Sequence, residues 1–154
     1  GMPRGTVTLS ASSFGGGTMP DLGSTQLAML WASLLLAFVH LLAAAATSVG
    51  QRGLSWALGP RDEAPPPINV TGARFDRAWK NYLETFPLFA AAVLLEASSG
   101  HGSGLAPLGA QLYFWGRVAF LPLYAIGWPV VRTLAWTVSL IGIALLLIAV
   151  LPGM

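Results

Sequence analysis

Residues 27–49 read LAMLWASLLLAFVHLLAAAATSV, without one charged side chain. About 20 consecutive apolar residues allow an α-helix to cross the roughly 30 Å of hydrocarbon in a bilayer. The stretch therefore predicts a membrane-spanning helix over about 25–49. A secretory signal is the alternative, since residues 43–46 are four small alanines. Its apolar segment would be shorter, however, and Arg4 would lie closer to it.

Three further apolar blocks follow and, with the first, predict an all-α membrane domain of four helices over 25–152. The blocks cover about 76–98, 105–128 and 131–151, and a polar segment at 50–75 is predicted to be the first loop. Residues 1–24 are rich in Gly, Ser and Thr without apolar periodicity and are predicted to be a flexible tail. The composition agrees, because 9% of the chain is charged, against about a quarter in soluble domains.

Composition also excludes several classes of function. The chain has no cysteine, so disulfides, thiolate metal sites and a protein thiol nucleophile are excluded. Its Lys and Arg residues form no run dense enough to follow a phosphate backbone, and nucleic acid is not predicted as a partner. His40 and His101 are far apart and the carboxylates are scattered, so no metal site is predicted. A small transporter ranks last among the function hypotheses, because it would need discontinuous helices or repeated halves and the sequence shows neither.

The basic residues predict the orientation of the helices. Arg52, Arg61, Arg74, Arg77 and Lys80 surround the first loop, whereas the second loop has no Lys or Arg. Cytoplasmic loops of membrane proteins carry an excess of these residues. We therefore expect the first and third loops on the cytoplasmic side, with both termini on the other side.

The second predicted span carries a polar stripe. Arg74, Arg77, Asn81, Glu84 and Leu88 follow steps of three and four residues, so they share one helix face. A charged side chain at membrane depth costs at least about 2.5 kcal/mol, and this face is expected to meet protein or a water-filled cavity. In a purely structural alternative, Arg77 and Glu84 snorkel to the interface or pair between helices.

The third predicted span presents a matching face. Arg117, Phe120 and Tyr124 lie at positions i, i+3 and i+7. If the second and third spans are antiparallel neighbours, their equal rise per residue places Arg117 within one turn of Glu84. We expect these two charges to neutralise each other, which gives Arg117 a structural role. Arg74, at the start of the stripe, is also predicted to be structural.

Three guanidinium groups are expected to converge near the cytoplasmic surface, because Arg132 opens the fourth span at the same level as Arg77 and Arg52. Several arginines with one Asn, one Glu and one Tyr would suit a small ligand that has carboxylates and an amino group. They would present this ligand beside the lipid. Glutathione fits that description.

The chain also resembles the MAPEG superfamily, the membrane-associated proteins of eicosanoid and glutathione metabolism. The pattern R-x-x-R-A-x-x-N-x-x-E-x-x-P-x-F at 74–89 is similar to the second-helix motif of the family, and GPRDEAPPP at 59–67 is similar to bacterial members. The resemblance extends over about 27–151. It implies a homotrimer of four-helix subunits, here in a bacterial inner membrane, with glutathione held between neighbouring subunits and open to the cytoplasmic side.

The resemblance also implies roles for single residues. Arg77 would hold a glutathione carboxylate, Asn81 and Glu84 would bind the backbone and amino group of glutathione, and Tyr124 would line the site. Arg52 would be the counterpart of the arginine that the family has at the end of its first span.

Arg132 would be the arginine that stabilises the glutathione thiolate, once one extra residue is allowed between it and Tyr124. The leading hypothesis is therefore a glutathione-dependent transferase or peroxidase, in which the thiolate adds to a lipophilic electrophile dissolved in the bilayer. Phe120 stands where glutathione-binding members carry a tyrosine. That departure favours the alternative hypothesis, a non-catalytic lipid-binding or scaffold protein of the same fold.

Overall fold

The structure, a computed structural model, describes residues 24–60, 62–100 and 103–151. Within these ranges the chain is all α-helical, as predicted, and has no strand. The helices are α1 (Thr25–Arg52), α2 (Leu54–Leu58), α3 (Val70–Ser99), α4 (Leu105–Ile126) and α5 (Pro129–Val150). The predicted tail, apart from its last residue, lies outside the described residues, as do Arg61 and His101.

The segment 50–75 differs most from the expectation of one polar loop. α1 continues to Arg52 and ends at Gly53, whose φ of 88° favours glycine. The five-residue α2 then lies inside the predicted loop. α3 begins at Val70, six residues before the predicted start of the second span at 76, because the Asn69 side chain accepts a hydrogen bond from the Gly72 backbone N–H.

α3 and α4 occupy the centre of the bundle. Each of them contacts the three other long helices, whereas the described residues of α1 and α5 do not contact each other. The hydrophobic core fills the end formed by the second half of α3, the first half of α4 and the end of α5, around Phe89, Tyr113 and Leu146. The Phe89 and Tyr113 rings stack with their centroids 3.9 Å apart. The polar stripe of α3 begins at the opposite end of the bundle.

α4 and α5 approach each other closely at glycine residues. A Cβ atom at Gly142 would lie 2.5 Å from the Gly109 carbonyl oxygen and 2.6 Å from the Tyr113 backbone nitrogen. A Cβ atom at Gly116 would lie 2.8 Å from the Ala135 carbonyl oxygen. Small residues that let two backbones approach are typical of helix packing in membranes. These contacts hold the first half of α4 against the middle of α5.

Two of the helices, α1 and α5, are each long and apolar enough to cross a membrane. Large apolar side chains cover their outer surfaces, and examples are Phe38, which is 58% exposed, and Leu134, which is 60% exposed. Soluble monomers rarely expose contiguous apolar surface of this extent. The chain is therefore built to be surrounded by lipid or by other protein.

Candidate functional site

A cleft of about 260 Å³ opens where α3, α4 and α5 meet, away from the hydrophobic core. The side chains that line it come from all three helices: Asn81 of α3, Phe120 and Tyr124 of α4, and Arg132, Thr133 and Trp136 of α5. Three residues predicted to bind or activate a ligand, Asn81, Tyr124 and Arg132, thus lie at one cleft.

Two arginines meet at the Tyr124 side chain. Arg77 Nε donates a hydrogen bond to the Tyr124 hydroxyl at 3.3 Å, and the Arg132 guanidinium lies over the ring, 4.4 Å from its centroid. The ring quadrupole attracts a cation in that position. In the described part of the chain, the ion pair at contact distance joins Lys80 to Asp76. The charges of Arg77 and Arg132 therefore remain available to an anionic ligand.

Arg117 lies behind the wall of the cleft and is fully buried, with 0% of its surface exposed. Its Nη1 donates to Asn81 Oδ1 at 2.8 Å, and its Nη2 donates to Thr85 Oγ1 at 2.5 Å. Three aromatic rings surround the guanidinium, those of Tyr82, Tyr113 and Phe120. Neutral oxygens accept hydrogens from both of its Nη atoms and aromatic faces surround its charge, which stabilises a buried cation. Its Nε is buried without a hydrogen-bond partner among the described residues.

The expected direct pairing of Arg117 with Glu84 is wrong. Glu84 lies on the exposed side of α3, where its Oε2 accepts a hydrogen bond from Asn81 Nδ2 at 3.1 Å. Arg117, a residue of α4, contacts the inner side of α3, so the Asn81 amide stands between the two charges. The contacts of Arg117 with α3 therefore run through Asn81 and Thr85.

Arg52 lies elsewhere, at the end of α1. Its Nε donates to the Pro66 carbonyl oxygen at 2.9 Å, and its Nη1 donates to Ser48 Oγ at 3.2 Å. The guanidinium also lies 4.8 Å from the Trp56 ring centroid. In this chain, Arg52 thus binds the segment between α1 and α3 and is not brought to the cleft.

Arg74 contacts the last turn of α4. Its Nη1 donates to the carbonyl oxygens of Ala125 and Ile126, at 2.9 and 3.1 Å. The last carbonyls of a helix lack partners within the helix, and a cation there also stabilises the negative end of the helix dipole. The guanidinium packs against Gly127, where a Cβ atom would lie 2.5 Å from it. These contacts hold the start of α3 against the end of α4.

Sequence reasoning missed two residues of the cleft and one partner of the buried arginine. Thr133 and Trp136 line the cleft beside Arg132, and Thr85 accepts a hydrogen bond from the buried guanidinium. Trp136 follows Arg132 by four residues, and Thr85 follows Asn81 by four. Residues four apart share a helix face, so this spacing is the signal that could have found them.

A family model matches most of the chain. The model is described as the MAPEG family, and it covers residues 29–152. This range includes every residue that lines the cleft. No curated protein matches the chain.

Proposed function

The chain belongs to the MAPEG family and is a membrane protein of that superfamily, and from this premise we propose that it is a glutathione-dependent transferase or peroxidase acting on lipophilic electrophiles. The observation that carries the proposal is the convergence of Arg77, Asn81, Tyr124 and Arg132 at one cleft. Two guanidinium groups that have no carboxylate partner among the described residues suit an anion that has carboxylates and a thiolate. The nearby carboxylate of Glu84 suits the ammonium group of the same peptide.

We propose further that the site is completed by a second subunit in a homotrimer. The cleft of one subunit has a volume of about 260 Å³, whereas pockets that enclose a small molecule typically measure about 300–1,000 Å³. Arg77 and Glu84 are exposed in the single subunit, and charges at membrane depth are expected to face protein or water. A neighbouring subunit against this face would satisfy both requirements. Arg52 would then reach the ligand only from a neighbouring subunit.

In the proposed reaction, Arg132 stabilises the glutathione thiolate. A free thiol of this kind has a pKa near 8.5, and each unit by which the pKa falls corresponds to about 1.4 kcal/mol of preferential stabilisation. The sulfur lone pair forms the carbon–sulfur bond, and the leaving group departs with its electron pair. With a hydroperoxide, the sulfur attacks the peroxide oxygen and the alcohol leaves. A second glutathione then closes the disulfide and releases water.

We propose that α1, α3, α4 and α5 each cross the membrane. α4 and α5 have 22 residues each, which gives a length of about 33 Å at about 1.5 Å per residue, against about 30 Å of hydrocarbon. The basic residues around the α1–α3 connection favour the cytoplasmic side for that connection. Both termini would then lie on the other side. The resemblance of residues 59–67 to bacterial members supports a bacterial inner membrane.

A second candidate function is that of a non-catalytic lipid-binding or scaffold protein of the same fold. Phe120 favours it, because this ring lines the cleft without a hydroxyl group and is only 3% exposed. The site would then have one polar contact fewer for a peptide ligand. The apolar outer surfaces of α1 and α5 would suit a role at lipid.

Thiolate absorbance in the ultraviolet separates the two candidates. The purified protein in detergent is expected to develop this absorbance with glutathione near neutral pH, where the free thiol is largely protonated. Arg132→Ala should lose the signal but keep part of the affinity, since Arg77, Asn81 and Glu84 remain.

Arg77→Ala should instead weaken binding itself by about one to two decades, the equivalent of one charge-assisted hydrogen bond. Lys80→Ala is the matched control, because Lys80 is an exposed residue of the same helix whose partner is Asp76. Its affinity should equal that of the wild type. If the wild-type protein binds no glutathione at millimolar concentration, the transferase proposal fails and the scaffold replaces it.

A further inference from the structure

The side-chain amide of Asn81 is held from its buried side by Arg117. Arg117 Nη1 lies 2.8 Å from Asn81 Oδ1. A guanidinium has five N–H donors and no acceptor. Only the oxygen of the amide can therefore face it, since the amide nitrogen would bring two donors together. The chemistry of the buried partner thus determines the orientation of the Asn81 side chain.

The nitrogen of the same amide faces the exposed side. Nδ2 carries two hydrogens, and it donates one of them to Glu84 Oε2 at 3.1 Å. Asn81 also lines the cleft, so the second hydrogen is available to a ligand there. We propose that Arg117 is a positioning residue that makes Asn81 a hydrogen-bond donor to the ligand. At this point the cleft accepts a carboxylate or carbonyl oxygen and rejects an N–H group.

Arg117 is suited to this role because its buried position restricts the movement of its guanidinium. It is fully buried, and its Nη2 is already bound to Thr85. Breaking its bond to Asn81 would leave a charged donor buried without an acceptor, which is costly. The inference rests on the proposed function only for the identity of the ligand. Glutathione offers acceptor oxygens of both kinds.

The orientation can be measured without any ligand. The chain has two asparagines, Asn69 and Asn81, so selective ¹⁵N labelling of asparagine gives two pairs of side-chain N–H signals. Asn69→Asp removes one pair and assigns the other, and it keeps the oxygen that accepts from the Gly72 N–H. We expect nuclear Overhauser contacts from the Asn81 N–H₂ group to the Glu84 side chain. Contacts to the Arg117 guanidinium in their place would overturn the proposal.

The positioning role can be measured by a double-mutant cycle on glutathione affinity. Arg117→Met removes the donors and keeps an unbranched apolar side chain at the buried position. The Asn81 amide could then populate two orientations. If the two are equally populated, the competent fraction and the affinity are halved, and the loss is larger if the reversed orientation is preferred. We therefore expect a loss of about twofold to tenfold.

In the Asn81→Ala background, Arg117→Met should leave affinity unchanged, because no amide remains to be oriented. Arg117→Lys should restore the wild-type affinity, since an ammonium group also has only donors. A loss of equal size in both backgrounds would mean that Arg117 acts on the ligand through its charge, and it would overturn the proposal. If Arg117→Met does not fold, the ¹⁵N measurement on the wild-type chain still decides the orientation. If the wild-type protein binds no glutathione, the proposed function fails, whereas the ¹⁵N result stands or falls separately.

Discussion

Replacing Gly142 by alanine would place a methyl group between the backbones of α4 and α5. The new Cβ atom would lie 2.5 Å from the Gly109 carbonyl oxygen and 2.6 Å from the Tyr113 backbone nitrogen, whereas ordinary contacts begin at 3.4 Å. Both neighbours are backbone atoms and cannot rotate away. The helices would have to separate locally by about 0.9 Å, the difference between 3.4 and 2.5 Å.

The expected loss of stability follows from two opposing effects. Overpacking a tight site costs about 1–3 kcal/mol, and alanine recovers about 0.5–1 kcal/mol because glycine is a poor helix former. Since both contacts fall below 3 Å, we expect the upper part of the range, a net loss of about 2 kcal/mol. At about 2–4 °C per kcal/mol for chains of this length, Tm should fall by about 4–8 °C.

Thermal unfolding of the purified protein in detergent, followed by circular dichroism, measures this change. Gly50→Ala is the matched control, since a Cβ atom at Gly50 meets none of the described atoms within 4 Å. It introduces the same methyl group into the last turn of α1, where it is expected to leave stability unchanged or to raise it by up to about 1 kcal/mol. If Gly142→Ala melted at or above the wild-type temperature, the close approach of α4 and α5 would be wrong.

Three further predictions can be tested on similar preparations. Arg74→Met removes the donor from the last carbonyls of α4 and should lower the free energy of unfolding by about 1–3 kcal/mol. Lys80→Met breaks an exposed ion pair within α3 and should lower it by about 0.5 kcal/mol or less. Equal losses for the two variants would show that Arg74 does not cap α4. Tyr124→Phe keeps the ring but loses the hydroxyl that accepts a hydrogen bond from Arg77. Equilibrium titration should then give a glutathione affinity about fivefold weaker. An unchanged affinity would exclude a contribution from that hydroxyl. Single cysteines can be placed at Glu63 and Ser103, because the chain has no native cysteine. The cysteine at 63 should react with impermeant reagents from the cytoplasmic side, and the cysteine at 103 from the opposite side. The reverse pattern would invert the proposed topology.

The positions of the last two helices could be predicted closely because strong local signals mark their ends. The predicted spans 105–128 and 131–151 compare with observed helices over Leu105–Ile126 and Pro129–Val150. Gly127, with a φ of 88°, ends α4, and proline suits the first position of α5. The start of α3 was harder to predict, because its first turns are not part of an apolar block. The cap at Asn69 is the sequence signal that would have extended this helix.

Periodicity predicted which side chains share a helix face, but it could not predict which atoms meet. Equal rise per residue places Arg117 within one turn of Glu84 along the bundle, but it determines only the position along the helix axis. Glu84 follows Asn81 by three residues, and three steps of about 100° leave the two side chains about 60° apart around α3. That angle turns Glu84 to the exposed side and leaves Asn81 facing the buried guanidinium. The direction of a side chain around the helix depends on the packing of all the helices, which the pattern does not contain.

The polar groups of the bundle fall into a buried set and an exposed set, and Asn81 is hydrogen-bonded to both. On the buried side, the two Nη atoms of Arg117 donate to oxygen acceptors of α3 and aromatic faces surround its charge, whereas its Nε has no hydrogen-bond partner among the described residues. On the exposed side, the partners that the described residues give to Arg77 and Glu84 are neutral, a tyrosine hydroxyl and an amide respectively. Charges left in that state at membrane depth are stabilised by a neighbouring subunit or by a charged ligand. Both would bind the same face of α3, so assembly of the proposed trimer and binding of the proposed ligand would depend on the same few side chains.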